Sequence, residues 1–189
     1  MQNNMKITDL NSTTRGRFFI NTKLLPQLAG RLKNESRVLF VGTDTGWDYK
    51  SLFFNPSKLC EFVTLDLKDG DIIGDISECP QIEDASFDLV VLIGVYEFVN
   101  NDRKSMMFKE INRILKPTGK AMLSLPGKGY YESPDNHVTL ANVGEKILPL
   151  KVEELYVIED SPEREPSSIH IVAVRKDCIA NGDFSSIIV

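Results

Sequence analysis

The chain has 189 residues, of which 42% are hydrophobic and 26% charged, a composition that fits one compact domain and excludes a disordered or fibrous protein. A formal net charge of −5 and a pI near 5.1 give non-specific nucleic-acid or anionic-membrane binding no electrostatic support. The three cysteines, Cys60, Cys79 and Cys178, are odd in number and scattered without a CxxC pair. They argue against a disulfide framework or a structural zinc site and for a reduced, cytoplasmic setting. The opening residues lack the apolar core of a signal peptide, and the longest apolar run, residues 89–95, falls short of the ~20 residues of a membrane span.

The elements follow in chain order. Residues 13–28, with Phe18 and Phe19 among basic side chains, read as an amphipathic helix laid on the domain. Residues 37–41 (RVLFV) are continuous, branched and apolar before Gly42, the pattern of a strand buried on both faces of a parallel sheet. Residues 47–54 form a short helix closed by Asn55-Pro56. Residues 61–67 (EFVTLDL) are a second strand, residues 71–76 (DIIGDI) a short extended piece, and residues 87–93 (FDLVVLI) the clearest buried strand. Residues 102–115 place Met107, Phe108, Ile111, Ile114 and Leu115 at helical spacing, and Lys116-Pro117 stops that helix. Residues 120–125 (KAMLSL) are another strand, residues 139–148 a helix, and residues 155–160 and 168–174 a terminal antiparallel pair. The tail, residues 177–189, has no clear periodicity. Alternating strands and helices predict an α/β, Rossmann-like three-layer sandwich with a mostly parallel sheet and a C-terminal antiparallel strand pair.

Such sheets bind ligands at the carboxyl ends of their strands, where the strand order switches. There the first strand runs into Gly42-Thr43-Asp44-Thr45-Gly46. Gly42 permits a tight turn and Gly46 a close helix start. Asp66, at the end of the second strand and about twenty residues past Gly46, suits an acceptor for two ribose hydroxyls. Asp44 is ill suited to a pyrophosphate, because it brings a like charge to the place where backbone should approach. It suits the cationic part of S-adenosylmethionine, so the loop favours that cofactor over NAD.

The pieces RVLFVGTDTG, VTLDL, GDI, EDASFDLVVLIGVYEFV and EINRILKPTGKAMLSLP together resemble the class I S-adenosylmethionine-dependent methyltransferases, in particular their short type 11 group. The resemblance implies that Gly42, Thr43, Asp44 and Gly46 line the methionine part of S-adenosyl-L-methionine. It implies that Asp66 and Leu67 meet the ribose side, and that Asp75 with the backbone of Ile76 meets the adenine amino group. Gly94 and Val95 would lie against the cofactor and face the acceptor, and Glu97 matches an acidic residue common there. Phe98 stands where the family often has histidine. Two departures stand out. Phe40 replaces the usual acid ahead of the glycines, and Asp44 replaces the middle glycine and is expected to take over the acid's role. The span from Asp66 to Asp75 is too short for a helix, which makes the fold a trimmed one.

The division that follows is an N-terminal cap segment over residues 1–36, a methyltransferase-like domain over 37–176 and a C-terminal tail over 177–189. The expected activity is methyl transfer to a small-molecule acceptor, a metabolite or sugar, by a cytoplasmic monomer or homodimer with no nucleic-acid or membrane partner. A cofactor that carries the reactivity leaves the protein mainly to position the acceptor. The loop 127–137 gathers aromatics, carboxylates and His137 over the acceptor side. His137 is a candidate base, its alternative being a solvated or capping loop residue. Tyr130 and Tyr131 are candidate pocket walls, and Arg15 and Arg17, in the family's cap position, are candidate holders of an anionic acceptor. His170, alternating with apolar neighbours, reads as a structural strand residue. The competing reading, from Phe40, Asp44 and Phe98, is a non-catalytic binding or interaction protein on the same fold.

Overall fold

The computed structural model of the chain describes residues 15–42, 58–127, 137–158, 168–175 and 185–188. Its centre is an eight-stranded sheet. β1 (Arg37–Val41), β2 (Glu61–Asp66), β3 (Ile72–Ile73), β4 (Phe87–Ile93), β5 (Leu115–Pro126), β6 (Lys151–Ile158), β7 (Ser168–Val174) and β8 (Ser185–Ile188) run in the order β3-β2-β1-β4-β5-β7-β6-β8. β1 pairs in parallel with both β2 and β4, so the strand order reverses at β1 and opens a crevice between β1 and β4 at their carboxyl ends. β7 is antiparallel to both β5 and β6, as the terminal strand pattern predicts.

Alternation within each strand splits the core into two layers. Leu39, Val41, Val90, Leu92, Leu123 and Ile171 join Met107, Phe108, Ile111 and Ile114 of α3 (Asn101–Ile114) on one face. Val38, Phe40, Val91, Ile93, Met122 and Val172 face the N-terminal helices on the other. Those helices are α1 (Arg15–Phe19), a π-helical turn (Ile20–Leu24) and α2 (Leu25–Arg31), which bury Ile20, Leu24, Leu25 and Leu28. The amphipathic segment of the sequence thus forms a full layer of the sandwich, and Arg31 pairs with Glu154 of β6 to hold its far end.

Two connections are shorter than the fold class usually has. Parallel neighbours normally need a crossover of a dozen or more residues, yet β2 reaches β3 through residues 67–71 alone. Asp66 Oδ1 accepts from the Lys68 N–H at 2.9 Å, and Asp71 Oδ2 accepts from the Thr64 backbone N–H at 2.9 Å and from its hydroxyl at 2.8 Å. Gly70 fits because a Cβ there would lie 3.1 Å from three backbone atoms. From β3 to β4 the chain runs helix-free and is pinned to α3 by Arg113, whose guanidinium donates to the carbonyls of Cys79 at 2.9 Å and Ile82 at 2.7 Å.

Three expectations are refined. The strand expected over 120–125 starts already at Leu115, paired with Phe87, and an irregularity absorbs the Lys116-Pro117 step before pairing resumes at Lys120. The helix expected over 139–148 is the single turn α4 (Val143–Lys146). The tail, which carries no periodicity, supplies β8, parallel to β6. The helix expected over 47–54 lies outside the described residues.

Candidate functional site

The crevice is built from the ends of β1, β2 and β4. Gly42 closes β1 with a φ of 79°, and its N–H donates to the Leu65 carbonyl at 2.9 Å. A Cβ on Gly42 would stand 2.4 Å from Val95 Cγ2, nearer than side-chain carbons ever approach. The tight approach of β1 to the segment after β4 therefore requires glycine. The Asx turn just described aims the half-buried Asp66 carboxylate at the end of β2. The Gly74 N–H donates to the Asp66 carbonyl at 2.9 Å and carries the chain on to Asp75. Gly42, Asp66, Leu67, Asp75, Gly94 and Val95 thus share one edge, as the sequence predicts. Leu67 is exposed and the side chain of Ile76 is buried.

Asp75 is more constrained than the sequence implies. Its Oδ1 accepts from the Ser77 N–H at 2.8 Å and from the Ser77 hydroxyl at 2.7 Å, and its Oδ2 lies 2.9 Å from Arg103 of α3. Burial raises its affinity for a proton, but Ser77 and Arg103 outweigh that and leave the carboxyl below its ordinary range. Behind it the Cys79 thiol donates to the Asp75 carbonyl at 2.7 Å, and burial pushes that thiol up to about 11.

Gly94 ends β4 with a φ of 67°, flanked by opposite charges. The position of its absent Cβ is 3.6 Å from Arg17 Nη2 and 3.9 Å from Glu97 Oε1. Arg17 comes from α1, so the N-terminal layer contributes directly to the carboxyl edge. Burial pushes the Glu97 carboxyl upward, and the positive fields of Arg17 and Lys104 pull it back. Glu97 Oε2 is buried with no hydrogen-bond partner among the described residues. Beneath Arg17 lies His170, 1% exposed, its ring stacked at 6.3 Å on Phe19. Burial, helped by Arg17, pushes His170 down to about 3, so it is neutral at any physiological pH. His137 returns to the same edge, since the next residue, Val138, donates its N–H to the Pro126 carbonyl at 3.0 Å at the end of β5. Thr43, Asp44, Gly46, Tyr130, Tyr131 and the side chain of Arg15 lie outside the described residues.

The fold that positions these strand ends is shared with known proteins. Residues 54–123 match the model of the methyltransferase domain family. Over that stretch the chain is similar to methyltransferase domains. A protein of Pyrococcus horikoshii superposes with a TM-score of 0.62 at 18% identity over 87% of this chain and 93% of its own. The 1,6-didemethyltoxoflavin-N1-methyltransferase of Burkholderia thailandensis, solved with 1,6-didemethyltoxoflavin and S-adenosylhomocysteine, superposes with a TM-score of 0.60 at 16% identity over 86% of this chain and 83% of its own. A SAM-dependent methyltransferase of Aquifex aeolicus gives a TM-score of 0.61 at 14% identity, over 93% of this chain and 100% of its own. No curated sequence is a match for the chain. At these identities the likeness carries the fold.

Two features escaped the sequence reading. Lys104 lies on the buried stripe of α3 with Met107, Phe108 and Ile111, and a lysine at an apolar helical spacing is the signal that marks it. Tyr96, directly after Val95, is fully buried, and a buried tyrosine cannot be told from a core aromatic by spacing alone.

Proposed function

We propose that the chain is an S-adenosylmethionine-dependent methyltransferase acting on a small-molecule acceptor. The observation that carries this reading is the contact of Gly42 with Val95 beside the oriented carboxylate of Asp66, at the reversal of strand order. Gly94 leaves room for a ligand to lie against backbone, Asp66 offers its carboxylate to a ribose, and Leu67 offers exposed apolar surface to an adenine. Asp75 and the backbone of Ile76 stand where an adenine amino group would be met. Thr43, Asp44 and Gly46 complete the methionine side. When bound, the cofactor supplies a methyl carbon already activated by its sulfonium. The remaining work of the chain is to hold an acceptor in line and dry.

Arg17 and Glu97, of opposite charge beside Gly94, and His137 at the end of β5 are the side chains placed to orient that acceptor. The acceptor loop would be completed by Tyr130 and Tyr131, and the entrance by Arg15. In this reading residues 1–36 close the site and residues 177–189 edge the sheet. No helix among the described residues is long and apolar enough to cross a membrane, and we place the activity in the cytoplasm.

Replacing Asp66 with Asn tests the reading. It keeps the Asx turn, because an amide oxygen still accepts from Lys68, but it removes the charge that strengthens hydrogen bonds from ribose hydroxyls. S-adenosylhomocysteine affinity is expected to fall about ten-fold, from the loss of a charge-assisted pair. Unchanged affinity would contradict the assignment.

One observation favours a second reading, a non-catalytic binding protein on this fold. Phe40 is 4% exposed in the layer under the N-terminal helices, so the end of β1 carries an apolar side chain where the family's acid would stand. That reading requires weak or absent cofactor binding, which the same titration measures.

A further inference from the structure

The carboxylate assigned to the nucleobase is held by a residue from another element. Arg103 of α3 lies with Nη1 2.9 Å from Asp75 Oδ2, and its Nη2 donates to Glu78 Oε2 at 3.2 Å. Asp75 and Glu78 are the two ends of one tight turn. The Glu78 N–H donates to the Asp75 carbonyl at 2.9 Å, and the two residues form an antiparallel bridge. A guanidinium presents its donors in a rigid planar fork, so Arg103 spans both carboxylates and clasps the turn. The Cys79 thiol donates to the same Asp75 carbonyl. Arg103 is the third residue of α3, where the positive end of the helix dipole disfavours a cation. The side chains of Arg103 and Asp75 are 31% and 33% exposed, and ion pairs so open to water contribute little to stability. The helix gains nothing from a cation at this position; Asp75 does.

An ionised carboxylate only accepts, with about four lone-pair sites on its two oxygens. Asp75 Oδ1 is filled by the Ser77 N–H at 2.8 Å and the Ser77 hydroxyl at 2.7 Å. A further donor must come to Oδ2, the oxygen that faces Arg103. Burial works against the charge of Asp75, but Ser77 and Arg103 outweigh it, so at neutral pH the group has no proton to offer. We propose that Arg103 is a positioning residue for the nucleobase: anchored on Glu78, it fixes Asp75 Oδ2 to accept from an amino group, so that the site takes a 6-aminopurine and refuses a 6-oxopurine. An amino group gives Oδ2 a hydrogen. A carbonyl oxygen in its place sets two acceptors against each other and leaves both unsatisfied. The inference deepens the proposed function and rests on its assignment of Asp75 to the adenine amino group; Arg103 acts through Asp75.

The test compares two ligands by calorimetry on the full-length protein: S-adenosylhomocysteine and S-inosylhomocysteine, which carries a carbonyl oxygen in place of the amino group. The wild type is expected to bind S-adenosylhomocysteine at least about ten-fold more tightly, the usual contribution of a hydrogen bond to a charged group. Arg103→Met removes the charge and the donors while keeping a stem that can cover the turn. It is expected to weaken S-adenosylhomocysteine about five-fold and to leave S-inosylhomocysteine within about two-fold, which narrows the preference. A merely structural role would weaken both ligands alike, because they share the ribose and the homocysteine. Arg103→Lys keeps the charge but cannot span both carboxylates. It is expected to weaken S-adenosylhomocysteine alone, by about three-fold, and it decides the question should the methionine variant fail to fold. Equal weakening of both ligands, or unchanged affinity for both, in the variant that folds overturns the positioning role. A wild type that does not prefer S-adenosylhomocysteine overturns it as well. Failure of the wild type to bind either ligand strikes the proposed function, and the inference with it.

Discussion

At Gly42 two costs coincide: a left-handed φ of 79° and a steric limit of 2.4 Å to Val95 Cγ2. Gly42→Ala should therefore lose about 3 kcal/mol of stability, from backbone strain and overpacking together, measured by denaturant unfolding. In the double variant with Val95→Ala the clash disappears while the strain remains. The double loss should fall short of the summed single losses by about 1 kcal/mol; strict additivity would place the cost of Gly42→Ala elsewhere. His170 gives a pH signature. Its folded proton affinity is depressed to about 3, well below that of an unfolded histidine near pH 6.5. The unfolded chain thus takes up the proton first. The contribution of a neutral His170 is complete above about pH 6.5 and is lost as pH falls toward 3. Relative to His170→Gln, the wild type should lose roughly 1.4 kcal/mol per pH unit below about pH 6, and a pH-independent difference would contradict the burial argument.

The element that decides whether the site is complete is the N-terminal layer. Arg17 is carried to Gly94 by helices anchored through Leu24, which is fully buried, and Leu28, which is nearly so. Leu24→Ala should cost about 2–5 kcal/mol as an unfilled core cavity, read by thermal or denaturant unfolding. A loss below about 1 kcal/mol would mean that the layer is loosely docked. The same layer shows what sequence could and could not disclose. Strands β1, β2 and β4 were legible because each is a short branched run ended by a glycine or an acid, and α3 because its apolar spacing is helical. The approach of Arg17 to the site was expected from the family resemblance and not from its helical spacing, since an amphipathic helix records which face is buried and not which strand end it reaches. The early start of β5 was hidden by Lys116-Pro117, whose local preference to break structure is overridden by pairing of Leu115 with Phe87. β8 was hidden because a four-residue strand at a sheet edge is too short to show a period. Within the site, Asp66 announced itself by its place at a strand end. The second engagement of Asp75, with Arg103, depends on a contact between segments that no local spacing records.

For the whole molecule, the switch in strand order at β1 explains why Gly42, Asp66, Gly94 and Val95 gather on one edge. The apolar layers on both faces are filled by α3 and by the N-terminal helices, which leaves ligands only the carboxyl ends. Phe40, packed among core side chains, and Asp44 are where this sequence departs from the pattern of the family it resembles, and in the proposed function they bear on the cofactor. The most direct measurement is a calorimetric titration of the purified wild-type protein with S-adenosylhomocysteine, with NAD as the control. The account predicts one site with a Kd of about 1–100 μM for S-adenosylhomocysteine and no heat from NAD. Absence of binding at about 1 mM S-adenosylhomocysteine, or binding of NAD in its place, would contradict it.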